Sequence, residues 1–275
     1  QVSGRLQPGA QDGETQLMLK MSDEPLFSGQ VGADNAGSRS TGAARISAQL
    51  SLASPLGLGD QWNTLLIHSR GSDYVRTGWS LPAGSSGWRA GINAAHFRCR
   101  LVAPEFAALG GKGHSTSLGL EASYPLLRSR QANLYFNAAL DRKQFDNRTV
   151  SGTTSKYHAT NATLGLSGNL YDTLGGGGAT SASLAATQGR IALGRPDFGE
   201  NAALQGGFQK LRYSLARQQA LTGTLGLYAS LAGQWAGDPL DSSEKFYLGG
   251  PSGVRAYPVN EGPGNSGQLA NLELR

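Results

Sequence analysis

Apolar and polar residues alternate with a period of two along most of this chain. Over residues 115 to 124, Leu118, Leu120, Ala122 and Tyr124 are apolar, while Ser115, Ser117, Gly119, Glu121 and Ser123 are small or polar. Residues 224 to 234 set Leu225, Leu227, Ala229 and Leu231 against Thr224, Gly226, Tyr228, Ser230 and Gln234. Residues 45 to 52 set Ile46, Ala48, Leu50 and Leu52 against Arg45, Ser47, Gln49 and Ser51. Successive side chains of a strand point to opposite faces, so each segment reads as a strand with one greasy and one wet face. Breaks rich in Gly, Pro, Asn and Asp place strands at 26–34, 42–52, 60–69, 73–82, 88–101, 113–125, 131–147, 157–171, 178–190, 205–219, 223–235 and 265–275, about twelve in all.

A soluble sandwich also alternates, so strand length and connector length must separate the two environments. Segments 131–147 and 157–171 run for about 15 residues without a strong breaker, where globular strands average about 5 or 6. Turns at Ser54–Gly59, Ala83–Gly87, Leu127–Arg130, Asp172–Gly177 and Ala220–Thr222 are short, and the intervening connectors include long ones at 102–112, 191–204 and 236–264. Outer-membrane barrels have short periplasmic turns and longer outer loops, so this parity predicts an all-β, antiparallel transmembrane barrel with 236–264 on the outer side. The longest apolar run, Phe106–Leu109, has four residues, far short of the roughly 20 that a spanning helix needs. Spanning strands need only about 9 to 11 residues, and their alternation is compatible with the mean hydropathy of −0.31.

Composition narrows the class further. Forty Gly among 275 residues argue against a helical bundle, and 8 Phe, 9 Tyr and 4 Trp with only 16% charge argue against disorder. The net charge of +5 comes without a clustered basic stripe, so no nucleic-acid partner is expected. Cys99 stands alone and has no disulfide or metal partner in sequence. His68, His96, His114 and His158 lack metal-ligand spacing, Gly175 to Gly178 is followed by no Lys-Ser/Thr, and no Gly-x-Ser-x-Gly elbow occurs. Neither an enzyme nor a cofactor nor a metal is expected. Because no charged-then-apolar signal segment opens it, the chain reads as a mature or truncated one.

The longest connector contains Phe246-Tyr247-Leu248-Gly249-Gly250-Pro251-Ser252-Gly253-Val254-Arg255-Ala256-Tyr257-Pro258. It resembles a loop motif of the pore-forming partners of bacterial two-partner secretion, the haemolysin-activator and filamentous-haemagglutinin-transporter family, within the superfamily of translocators that carry POTRA domains. The family pattern is Gly-Gly, a short spacer and Val-Arg-Gly-Tyr; Gly249, Gly250, Val254, Arg255 and Tyr257 match it, and Ala256 stands where the family has Gly. Asp34-Asn35-Ala36-Gly37 with Thr41-Gly42 resembles its first hairpin, Pro55-Leu56-Gly57-Leu58-Gly59-Asp60 its next turn, Tyr124-Pro125-Leu126 the turn after its sixth strand, and Gln234-Trp235-Ala236 with Leu240, Ser242, Ser243 and Phe246 the run into the motif.

The resemblance implies a barrel of about sixteen strands behind two POTRA domains. Residues 1–24 then correspond to the end of a periplasmic POTRA domain, and 25–275 to barrel strands one to twelve, truncated before the last strands. It further implies that Arg255 pairs with an aspartate on a strand beyond Arg275, so here Arg255 is expected to be unpaired or displaced. The implied activity is export of a partner exoprotein with an N-terminal secretion domain (an adhesin, haemolysin or contact-dependent toxin) to the cell surface. The pore is expected to sit in outer-membrane lipid as a monomer, with Arg45, Gln49, Glu121 and Gln234 facing its lumen. A factor that assembles other barrels and a passive diffusion channel are the alternatives.

Overall fold

The structure is a computed structural model and describes residues 2–9, 11, 13–21, 25–150, 152, 154–194 and 204–275. The long connector expected at 191–204 falls largely outside them. An N-terminal hairpin joins β1 (Val2–Pro8) to β2 (Thr15–Met21), antiparallel, with Leu6 opposite Leu17. Its apolar side chains Leu17, Leu19 and Met21 are exposed.

A single antiparallel sheet of twelve strands follows. Its first half consists of β3 (Phe27–Asp34), β4 (Arg45–Ala53), β5 (Gln61–Ser69), β6 (Ser72–Ala83), β7 (Trp88–Arg100) and β8 (Lys112–Arg128). Next come β9 (Ala132–Arg148), β10 (Thr154–Asp172), β11 (Gly178–Leu193), β12 (Gly206–Ala220) and β13 (Gly226–Ala236). A small hairpin, β14 (Phe246–Tyr247) with β15 (Pro263–Gly264), interrupts the meander before β16 (Gly267–Leu274) pairs with β13. Every other neighbour in the sheet is a neighbour in sequence, and β3 and β16 are its two edges. These twelve strands coincide with the twelve read from alternation.

Two departures from the sequence reading have local causes. Strands β8 and β10 are 17 and 19 residues long, longer than the 113–125 and 157–171 read from sequence, because polar alternation carries them on, whereas β9 agrees with 131–147. Tyr124-Pro125-Leu126 is not a turn: β8 continues to Arg128 with a register shift between Pro125 and Leu127. Pro125 keeps its place opposite Tyr135, and Leu126 is the residue that the irregularity leaves without a partner. The first short turn is built around Asp60, which is fully buried and accepts bonds from Trp79 Nε1 (3.0 Å) and the backbone N–H groups of Leu56 (3.2 Å) and Leu58 (3.3 Å). Burial opposes its charge, but the Trp79 bond and these backbone donors hold its carboxyl below the usual carboxylate range.

Directly opposed residues of an antiparallel ladder share a face. One row runs Gln49, Leu65, Arg76, Ala95, Ser117, Lys143, Ala159 and Ile191 across eight strands. The opposite face exposes Leu66, Leu118 and Leu164, at 48%, 63% and 58%. Exposed leucines on one face and polar groups on the other are what a strand between lipid and a wet lumen requires.

Candidate functional site: the loop folded against the polar face

The connector from Gly237 to Ser266 returns over the polar face of β9, β10, β12 and β13. Leu240, 1% exposed, packs in a cluster with Tyr157, Ala159, Ile191 and Phe208, and the Phe145 and Tyr157 rings stack at 4.6 Å between centroids. One leucine therefore anchors the loop in an apolar patch on an otherwise polar surface. Beside it, the Tyr157 hydroxyl donates to both carboxylate oxygens of Asp241 at 3.2 and 3.1 Å.

Glu244 is the centre of the arrangement and is 2% exposed. Its Oε1 accepts from Lys143 Nζ on β9 at 2.7 Å and from Asn161 Nδ2 on β10 at 3.0 Å, and its Oε2 pairs with Lys210 Nζ on β12. Burial alone would raise its pKa, but the fields of Lys143 and Lys210 and the hydrogen bonds from both hold it at about 2 against an ordinary 4.5. Removing one partner from such a buried set costs about 3–5 kcal/mol, because it strands the other charge. Gln234 on β13 closes the ring: its Nε2 donates to the carbonyls of Glu244 (3.0 Å) and Asn265 (2.9 Å), and its Oε1 accepts from Arg212 Nε at 2.6 Å. The Glu244 carboxylate thus ties three strands to the loop, and its backbone carbonyl a fourth.

Beyond Glu244 the loop narrows into the β14–β15 hairpin, whose tip is Leu248–Gly262. There Gly250 N donates to Tyr257 O (3.1 Å), Val254 N to Leu248 O (2.7 Å) and Tyr257 N to Val254 O (3.0 Å). Gly250 has φ +115°, where a side chain is strained. A Cβ at Gly249 would collide with the Pro258 carbonyl, and one at Gly253 with the Leu248 carbonyl. Ala256 is not among the positive-φ residues, so its Cβ costs nothing where the related pattern has Gly.

Arg255 Nη2 bonds Glu273 Oε1 at 2.6 Å, so Arg255 is not unpaired; within this chain it pairs with a glutamate of β16 in place of the aspartate that the resemblance implies. Glu273 lies six residues along β16 from Gly267, about 20 Å at ~3.3 Å per residue, so the tip reaches far down the polar face. Glu273 is shared with Arg275, whose Nη2 lies 2.8 Å from Oε2 and whose guanidinium covers the Tyr228 ring at 4.4 Å. Tyr257 is 59% exposed. The four lumen candidates all lie on this polar face. Arg45 pairs with Asp34 at 2.5 Å, Gln49 accepts from Gln30 at 3.4 Å and Glu121 from Asn93 at 3.3 Å, whereas Gln234 is closed off beneath the loop. Sequence reasoning missed Glu244, Asp241, Lys143, Lys210, Asn161 and Tyr157, because nothing in their spacing distinguishes them from other charged and polar residues. The described residues hold no group of three or more His, Cys, Asp or Glu suited to a metal.

A twelve-stranded antiparallel sheet with an apolar outer face, a polar inner face and a loop folded along the latter defines a protein of the transmembrane β-barrel class. The chain belongs to the family of the haemolysin secretion/activation protein ShlB/FhaC/HecB, whose family model matches residues 13–275, and it is an outer-membrane protein. It is 27% identical to the heme/hemopexin transporter protein HuxB of Haemophilus influenzae (strain 86-028NP) over 98% of this chain and 49% of that protein. To the outer membrane transporter CdiB of Dickeya dadantii (strain 3937) it is 27% identical over 100% of this chain and 50% of the relative. The chain thus spans about half the length of the curated relatives it matches. The solved CdiB from Escherichia coli superposes with a TM-score of 0.81 at 24% identity, over 99% of this chain and 52% of that one. BamA from Haemophilus ducreyi, at 0.61 and 12%, shares the fold over 100% of this chain and 57% of its own.

Proposed function

We propose that the protein of which this chain forms part exports a partner exoprotein across the outer membrane by two-partner secretion, with loop 237–266 as the element that occupies the lumen and must move. The observation that carries this reading is the single carboxylate of Glu244, which pins a motif-bearing loop to the polar wall through a few reversible polar contacts. Residues 1–24 are read as the end of a POTRA domain that receives the partner's N-terminal secretion domain, by adding a strand to a sheet edge. Gly249, Gly250 and Gly253 shape the loop tip, Ala256 and Tyr257 flank Arg255 there, and Arg255 holds the tip against β16. Arg45, Gln49 and Glu121 offer an extended chain weak, exchangeable contacts, and Gln234 holds the loop. The pore acts as a monomer in outer-membrane lipid and uses neither nucleotide nor metal.

The test is export of a candidate partner encoded beside this gene, from cells carrying the full-length protein or its Arg255→Ala variant. Partner in the medium with the intact protein, and reduced export with the variant at equal outer-membrane abundance, is the expected result. Wild-type export by Arg255→Ala would remove Arg255 from the mechanism, and partner retained in both strains would favour a diffusion channel or an assembly factor.

A further inference from the structure

The outward face carries a second constellation, at the loop end of β5 to β11. On β9 this face is apolar through Leu134, Phe136, Ala138 and Leu140 and then turns to Arg142, Gln144, Asp146 and Arg148. The boundary recurs on the neighbours: Leu118 gives way to Thr116, His114 and Lys112 on β8, Ala94 to His96, Arg98 and Arg100 on β7, and Ala162 to Thr160, His158 and Lys156 on β10. Because spanning takes about 9 to 11 residues of a tilted strand, the rest of these 13- to 19-residue strands projects to the level of the outer-leaflet headgroups.

This face is strongly cationic. Arg98, Lys112, Arg142 and Arg190 are exposed on it, and among the described residues none has a carboxylate within ion-pair distance. Only Asp73 and Asp146 oppose them on these strands, and both are already engaged, Asp73 by His68 at 2.6 Å and Asp146 by Arg148 at 3.1 Å and Lys156 at 3.2 Å. The four histidines that look scattered in sequence all face this way, with the His96 and His114 rings 6.2 Å apart.

Arg100, Lys112 and Arg148 occupy directly opposed positions on three adjacent strands. Like charges directly across a ladder are destabilising unless something of opposite sign lies between them. A cleft of about 490 Å³ opens at this ladder; its lining holds five cations, Arg70, Arg98, Arg100, Lys112 and Arg148, against two carboxylates, Asp73 and Asp146, so it is net cationic. Guanidinium groups hold phosphate oxygens through paired hydrogen bonds, and the apolar belt below would carry acyl chains.

We propose that this cleft binds the phosphorylated headgroup of an outer-leaflet glycolipid, with Arg98, Arg100, Lys112 and Arg148 on the phosphate and the outward leucines of β8 to β10 against the acyl chains. Export does not enter the argument, so the site stands or falls apart from that proposal.

The test uses the full-length protein in detergent, with bisphosphorylated lipid A, its dephosphorylated form and inorganic phosphate as probes, and native mass spectrometry with a titration as readouts. Arg100→Gln/Lys112→Gln/Arg148→Gln is expected to bind bisphosphorylated lipid A at least about tenfold more weakly, or about 1.4 kcal/mol. Dephosphorylated lipid A should bind both proteins equally and weakly, and millimolar inorganic phosphate should compete poorly. Heat-modifiable migration on gels checks folding; the single variant Lys112→Gln and the charge-keeping Arg148→Lys are measured beside the triple variant, the first expected to weaken binding and the second to retain it. Equal binding of bisphosphorylated lipid A by the triple variant overturns the proposal. So does full competition by inorganic phosphate, which would make this a free-anion site, or indifference to Lys112→Gln.

Discussion

Glu244 has the most consequence of any single side chain here. Its carboxyl titrates at about 2 while the loop is docked, against an ordinary 4.5. A depressed carboxylate stabilises the docked loop at every pH above the undocked value, and that contribution, about 3 kcal/mol, is lost as pH falls from about 4.5 through about 2. A spin label at exposed Ser243, in a Cys99→Ser background of the full-length protein, should therefore be immobile at pH 7 and become mobile as pH falls through that window. Glu244→Gln should free the label already at pH 7 and abolish the pH profile, because the Lys210 ammonium, 4% exposed, is left without its counter-charge. A flat profile in the parent, or the same profile in the variant, would show that this carboxylate does not hold the loop. The Arg255–Glu273 bond contributes less: Arg255 is 74% exposed, and pairs in water contribute about 0–1 kcal/mol.

At the scale of elements, the hairpin tip depends on backbone shape. Gly253→Ala forces a Cβ toward the Leu248 carbonyl, so the tip must open, and strain of this kind costs about 1–3 kcal/mol. Trypsin should then cut after Arg255 about tenfold faster than in the parent. Ala256→Gly should leave that rate nearly unchanged, since position 256 does not use a left-handed backbone. A similar acceleration by both variants would mean that loop mobility, not this geometry, controls access. The same contrast explains why the motif survives an alanine in its third place: the geometry is demanded at Gly249, Gly250 and Gly253, and position 256 supplies only a link between Arg255 and Tyr257.

For the whole molecule, the two faces of the sheet make opposite demands. Leu164 points outward in the middle of the apolar belt and is 58% exposed, so Leu164→Arg should destabilise the full-length barrel by about 2–4 kcal/mol. Ala139 faces inward opposite Glu121, and Ala139→Arg gains a counter-charge in the wet lumen, so its effect should be small. Denaturant unfolding in lipid vesicles measures both, and equal losses would contradict the assignment of faces. The edges β3 and β16 present unpaired backbone, which hydrocarbon does not tolerate.

Much of this architecture was legible in the chain, because strand alternation is a local property written residue by residue. All twelve strands, the short turns and the polar face that holds Arg45, Gln49 and Glu121 follow from period-two patterning and Gly/Pro punctuation. The loop motif was legible through its resemblance to a family pattern, and the folded tip then showed why glycine is demanded at 249, 250 and 253. The continuation of β8 past Tyr124-Pro125-Leu126 was not legible, because a register shift that skips one residue leaves no mark of its own in sequence. What only the tertiary structure decided are contacts between residues 83 to 101 positions apart, such as Glu244 with Asn161 and Lys143, and the gathering of His68, His96, His114 and His158 on one outward face. Burial and charge pairing depend on register across several strands and on where a long loop comes to rest, and no local pattern encodes either.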